Sequence, residues 1–187
     1  TGGNTVVMLT SDHGEMLGDH GYFRKCEPYE GSASIPFIIA GSPETGFRPG
    51  QYCKQPVGLE DIMPTLLAAA GEESPDRIDG INLSPVLKGS AATTREWFHF
   101  EHAPCYGTAQ AFHALTDGSL KYIWRPMAGT EQLFDLDSDP REEHDLARDA
   151  SARPALEKWR ATLIGRLRVR PEGFSDGRRL IPGRPYP

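Results

Sequence analysis

A chain of 187 residues can bury one respectable core, or one core with a small appendage. Its formal net charge of −6, with 25% charged residues, fits a soluble acidic protein and excludes a general basic face for nucleic acid. No apolar run approaches the roughly twenty residues of a membrane span, and no signal-peptide pattern opens the sequence. Cys26, Cys53 and Cys105 are odd in number and widely spaced, which reads as three unpaired thiols rather than a disulfide framework or a zinc site. With 20 Gly and 16 Pro the fold is expected to be globular but rich in loops.

In chain order, the β-branched and apolar run from Thr5 to Thr10 predicts a strand buried on both faces. The polar stretch Ser11 to Gly21, SDHGEMLGDHG, then begins where that strand ends. Asp12 and His13 therefore fall at a strand's carboxyl edge, where open α/β sheets place their ligands. Taken bare, Asp-His-Gly reads as a turn Asp with a surface His, and a hard-metal corner is the alternative. Ile35 to Ala40 predicts a second short strand, followed by a loop from Gly41 to Pro56. Leu59 to Ala70 carries a helical repeat stopped by Gly71, with the helix starting or kinking at Pro64 and Asp61 acting as a cap.

After Ser90 the pattern changes. Trp97 to Glu101, Gln110 to Thr116, Leu120 to Trp124 and Gln132 to Leu136 predict four strands of a small antiparallel sheet, with a hairpin at Asp117-Gly118. Glu142 to Ala147 reads as a short helix. From Ser151 a strongly helical segment places Leu156, Trp159, Leu163 and Leu167 in one stripe expected to pack on the small sheet. Arg166, Arg168 and Arg170 suit the negative pole of that helix, and the tail from Pro171 is expected to be extended.

The segment from Phe23 to Ile39 joins Lys25, four residues before Tyr29-Glu30-Gly31-Ser32, to Ile35-Pro36-Phe37-Ile38-Ile39. Together with Thr10 to Gly21 it resembles the metal-and-lysine segment of the sulfatase family, within the alkaline-phosphatase-like superfamily. The resemblance continues through Asp61 to Leu67, Gly80 to Leu83, Gln132 to Leu136 and Asp139-Pro140. It implies part of an alkaline-phosphatase-like α/β sheet with flanking helices over residues 1–90. A small four-stranded antiparallel sheet packed on a C-terminal helix would follow over 91–170, with a tail over 171–187. Sulfatases run to several hundred residues, so the resemblance implies the carboxyl-terminal part of one, partnered by a missing amino-terminal part.

By that resemblance Asp12 is a metal ligand, and His13 coordinates the metal, lies beside it or bonds the substrate. Lys25 reaches a sulfate oxygen or the nucleophile. A sulfate ester is charged and gains charge at the leaving oxygen on cleavage, so fixed positive charge is what its site needs. A hard cation with oxygen ligands suits this, Ca²⁺ ahead of Mg²⁺. His102 and His113 are candidate substrate contacts whose plainer reading is a hydrogen-bonded surface His. Glu15, Asp19 and His20 read as solvated or capping groups. Cys26-Glu27-Pro28 imitates the start of the formylglycine signature but lacks its Arg, so the resemblance puts the formylglycine nucleophile outside this chain and leaves the fragment alone inactive. Alternatives are a phosphonate monoester or phosphodiester hydrolase on the same scaffold, and a non-catalytic metal-binding or interaction module. The compartment, cytoplasmic or exported, is open.

Overall fold

A computed structural model describes residues 3–91 and 95–186. In chain order its strands and α-helices are β1 (Val6–Thr10), α1 (Glu30–Ala33), β2 (Phe37–Gly41), α2 (Ile62–Ala70), α3 (Ser84–Leu87), β3 (Phe98–His102), β4 (Phe112–Thr116), β5 (Leu120–Arg125), β6 (Thr130–Asp135) and α4 (Arg153–Leu167). They fall into two compact units, residues 1–12 with 35–98, and residues 13–34 with 99–187. The loop after β1 thus belongs to the second unit by its packing, although its neighbours in sequence belong to the first.

In the first unit β1 and β2 pair antiparallel, with Met8 opposite Ile39. Both strands alternate between half-buried and exposed positions, and Val7, Leu9 and Ile38 are 60%, 59% and 57% exposed. This differs from the expectation of burial on both faces, because among the described residues of this unit only one side of the ladder is covered. α2 starts at Ile62, which leaves Pro64 in the first turn, where its missing N–H costs nothing. Gly71 ends it with φ 81 and returns its N–H to Ala68 and Leu67 carbonyls, the left-handed cap that the sequence announced.

The second unit is a four-stranded antiparallel sheet, order β3-β4-β5-β6. Its side chains alternate between two faces. On one face Phe112, Ala114, Ile123 and Phe134 meet Met16 and Tyr29 of the 13–34 loop, with Phe100 and Leu136 at the margin. On the other, Leu156, Trp159, Leu163 and Leu167 of α4 are all buried, as the stripe required. Arg160 of the same helix clamps Glu131 on β6 at 2.6 and 2.7 Å. The β4–β5 turn carries Gly118 at φ 92, and Asp117 accepts the Ser119 and Leu120 N–H groups.

Two expectations fail here. Glu142 to Ala147 is not a helix: Glu142 is 2% exposed with φ 57, and the 3-10 turn that follows is Leu146–Arg148. A buried ion pair with Lys121 holds Glu142 in that conformation. Nor is the tail simply extended. Ser175 bridges Leu180, and fully buried Phe174 packs edge-on against His113 and Trp124. None of the helices among the described residues is long and apolar enough to cross a membrane.

Candidate active site

The 13–34 loop doubles back on itself before α1. Its Gly14 N–H donates to the Ser32 carbonyl at 2.9 Å, and Met16 N–H to the Arg24 carbonyl at 2.8 Å. Gly14 must be glycine for this closure, since a Cβ there would stand 2.2 Å from the Gly31 oxygen. Arg24 and Cys26, on either side of Lys25, both take left-handed backbone, φ 69 and φ 75. Such positions cost about 1–3 kcal/mol each and persist where surrounding contacts over-determine them. The contacts are present: Glu15 accepts the Arg24 N–H, and Cys26, Glu27, Pro28 and Tyr29 are all buried.

This folding brings Lys25 to His13. Nζ of Lys25 and Nε2 of His13 are 2.8 Å apart, while Nδ1 of His13 lies 2.7 Å from the Gly14 carbonyl oxygen. A carbonyl only accepts, so Nδ1 carries the proton and Nε2 accepts from the ammonium. His13 is thereby a neutral imidazole that orients Lys25, and the ammonium has three N–H donors of which His13 takes one. The arrangement is a localised positive charge with donors to spare, suited to an anionic oxygen.

Asp12 is exposed and closes the β1 segment as the last residue of the first unit. Its carboxylate is a hard oxygen donor, but Ca²⁺ takes about 6–8 oxygens. The His13 lone pair that would ligate a metal is turned to Lys25. Neither of the two groups of metal-capable side chains among the described residues includes Asp12 or His13. These residues therefore fit one ligand of a hard cation and not a complete site.

The other two predicted site residues part company. His102, at the end of β3, is half-buried, donates from Nδ1 to the Ala103 carbonyl and stacks on Phe112 at 6.3 Å. It lines a cleft of about 460 Å³ together with Glu101, Pro104, Arg170, Glu172 and Tyr186. His113 sits in the interior of the sheet unit at 1% exposure, with Nδ1 2.8 Å from Glu101 and 3.2 Å from His99 Nε2, and presents no surface to a substrate. Burial opposes ionisation of Glu101, yet hydrogen bonds from His113 and Arg170 outweigh it and bring its pKa down to about 2. The Arg170 guanidinium, bonded to Glu172 and Glu101, is pushed further up.

Around the loop, Glu15, Asp19 and His20 have partners of their own. Glu15 holds backbone N–H groups, Asp19 pairs with Arg141 at 3.3 Å, and His20 stacks on Tyr29 at 4.0 Å. Sequence reasoning missed the mutual proximity of Cys26, His102 and Cys105, whose ligand atoms lie within 4.8 Å of one another. His102 and Cys105 are three residues apart, but Cys26 comes from a loop far away in the chain, and no spacing in the sequence links it to them.

Residues 18–168 match the family described as N-sulphoglucosamine sulphohydrolase, C-terminal. An arylsulfatase of Clostridium perfringens is 38% identical over 184 residues, covering 97% of this chain and 37% of its own length. Among solved structures, a 2-O GAG sulfatase superposes with TM-score 0.78 at 26% identity, covering 87% of this chain and 36% of that one. A phosphonate monoester hydrolase of Agrobacterium radiobacter does so with TM-score 0.71 at 27% identity, covering 86% of this chain and 34% of that one. The chain spans 37% of the length of that arylsulfatase and 26% of another curated relative it matches. Lys25 lies inside the matched family segment, while Asp12 and His13 precede it and are covered by the wider match to the arylsulfatase. Alkaline-phosphatase-like in fold, the chain belongs to the sulfatase family as a portion from its carboxyl-terminal end.

Proposed function

We propose that this chain supplies the anion-binding lysine of a sulfate-ester hydrolase. The observation that carries the reading is the contact of 2.8 Å between Lys25 Nζ and His13 Nε2 on a loop closed by the Gly14 and Met16 backbone hydrogen bonds. A sulfate monoester brings one negative charge, and charge builds on the bridging oxygen as its bond to sulfur breaks. A preorganised ammonium stabilises that charge without reorganising at the moment of reaction. His13, neutral and anchored to the Gly14 carbonyl, fixes where the ammonium points. His102 borders a cleft in the same unit and is the candidate for contact with the alcohol portion.

Asp12 would give one oxygen ligand to a hard divalent cation, Ca²⁺ ahead of Mg²⁺, whose remaining ligands would come from outside this chain. Such a cation supplies Lewis-acid stabilisation of the transferred group. The nucleophile, a formylglycine in this reading, also lies outside the chain. Similarity to a phosphonate monoester hydrolase supports a second reading, in which the same lysine meets a phosphonate oxygen.

The experiment is a comparison of full-length wild type, Lys25→Ala and His13→Ala on an aryl sulfate and an aryl phosphonate monoester. Loss of one preorganised donor costs about 10²–10³ in rate. Lys25→Ala should fall by that amount in kcat, and His13→Ala by less, on whichever ester is preferred. Turnover of neither ester by wild type would leave a binding module, and an unchanged kcat in Lys25→Ala would remove the assigned role.

A further inference from the structure

A second cluster of chemistry-bearing side chains stands apart from any role for hard cations. Cys26, 6% exposed, comes from the loop before α1, and His102 and exposed Cys105 come from the end of β3 and the loop beyond it. Both Sγ atoms and one ring nitrogen lie within 4.8 Å of one another. Two atoms bound at about 2.3 Å to a tetrahedral centre are about 3.8 Å apart, so at most about 1 Å of closure separates the three from ligands of one ion.

The two loops that carry them are pinned to each other next to the thiols. Glu27, beside Cys26, is 3% exposed and accepts from Arg125 at 2.7 Å and from the Gln110 amide at 3.3 Å. The same Gln110 side chain accepts the N–H of Tyr106, beside Cys105, at 3.0 Å, and the Gln110 backbone carbonyl accepts a second Arg125 bond at 3.1 Å. The Arg24 guanidinium lies 5.9 Å from the Tyr106 ring centre. His102 donates from Nδ1 to the Ala103 carbonyl, which leaves the lone pair on Nε2, the tautomer that outer contacts impose on metal-ligating imidazoles. Ligation requires the thiolates, so binding a cation here would release the thiol protons.

We propose that Cys26, His102 and Cys105 form a binding site for a borderline-soft divalent cation of the Zn²⁺ class, with a fourth tetrahedral position left to water or an external donor. Two sulfurs and an imidazole select against Ca²⁺ and Mg²⁺, which take oxygen. The two thiolates neutralise the ion's charge. The proposal does not rest on the hydrolase reading, in which Cys26 and Cys105 have no part and His102 is only a candidate contact for the alcohol portion.

The test uses the metal-free protein kept reduced with a phosphine. Co²⁺ titration should give a thiolate-to-cobalt charge-transfer band and tetrahedral d–d bands saturating at one ion per chain, and Zn²⁺ should bleach both. Cys105→Ser, at an exposed position where folding is not at stake, should lower affinity by more than the about 10–100-fold that an outer-shell partner is worth. His102→Asn should do the same, and Cys53→Ser should change nothing, with thermal melting confirming that each variant is folded. Absence of the charge-transfer band, or equal affinity in wild type and Cys105→Ser, overturns the site.

Discussion

The two units are held together by different physics. In the first, among the described residues, Leu83 and Pro64 are the buried apolar side chains, and the centre is a carboxylate. Asp61, fully buried, accepts the Gly58 and Ile81 N–H groups at 2.9 and 2.8 Å and a two-pronged Arg95 bond at 2.9 and 2.7 Å. Thr65 beside it accepts the Leu83 N–H at 3.0 Å. Gly80 allows the close approach, since a Cβ there would fall 1.9 Å from the Glu60 oxygen. In the second unit alternating strands bury apolar side chains on both faces, and its buried polar groups, Lys121 with Glu142 among them, sit beside that apolar core. One region depends on a single charged hub for its loops, and the other on many interchangeable contacts.

Removing the hub should therefore produce the largest effect. Asp61→Ala would leave Arg95, whose side chain is 12% exposed, without its carboxylate, and two N–H groups without acceptors. Breaking a buried pair from one side costs about 3–5 kcal/mol, and orphaned donors add to it, so about 5 kcal/mol is expected. Hydrogen exchange at the Ile81 amide should accelerate before the β5 amides do. A loss below about 1 kcal/mol in urea unfolding would show that the hub is not what holds this unit.

The counterpart in the second unit is Lys121, 1% exposed, which binds Glu142 at 2.9 Å, the Pro28 carbonyl at 3.1 Å and Glu30. Lys121→Met leaves the buried Glu142 carboxylate unpaired and should cost about 3–4 kcal/mol. Adding Glu142→Gln keeps an acceptor for the Glu30 N–H, now 2.6 Å from Glu142, and removes the charge. The double variant should recover about half of the loss, because the apolar cluster beneath still carries the fold. No recovery would make the second unit as dependent on its ion pair as the first is on Asp61.

What the sequence disclosed follows the same division. The Leu156, Trp159, Leu163 and Leu167 stripe and the Asp117-Gly118 turn are local patterns, repeated within a few residues, and both have their expected structure. Lys25 is singled out in the sequence by its distance from Tyr29, while its bond to His13 needs the loop closure at Gly14. Asp61 read as a cap, and its carboxylate does bond back to the Gly58 N–H, but its partner Arg95 lies 34 residues away and leaves no periodic trace. The same holds for Lys121 with Glu142, and, although Cys26 and Cys105 are free thiols as the sequence predicts, their nearness to each other also leaves no trace. Long-range pairing of polar side chains is where a single sequence says least.

The smallest expected effect tests whether polar groups inside the second unit cost stability rather than supply it. His99, with a side chain 5% exposed, faces Glu101, His113, Arg166 and Arg170. Burial is the main cause that lowers its pKa to about 4, with His113 and the two arginines adding to it against the pull of Glu101. The unfolded chain binds this proton near its ordinary value of about 6.5, so between the two values the unfolded state holds more protons. Stability is then full above about pH 6.5 and falls as pH drops toward about 4, by at most about 3 kcal/mol. Glu101, with its pKa near 2, adds a loss in the same direction only at lower pH. Urea midpoints at about pH 7 and about pH 4.5 should differ in wild type, and His99→Phe should flatten that difference. An undiminished slope in His99→Phe would move the acid sensitivity away from this histidine and bring the second unit closer to the first, governed by its carboxylates.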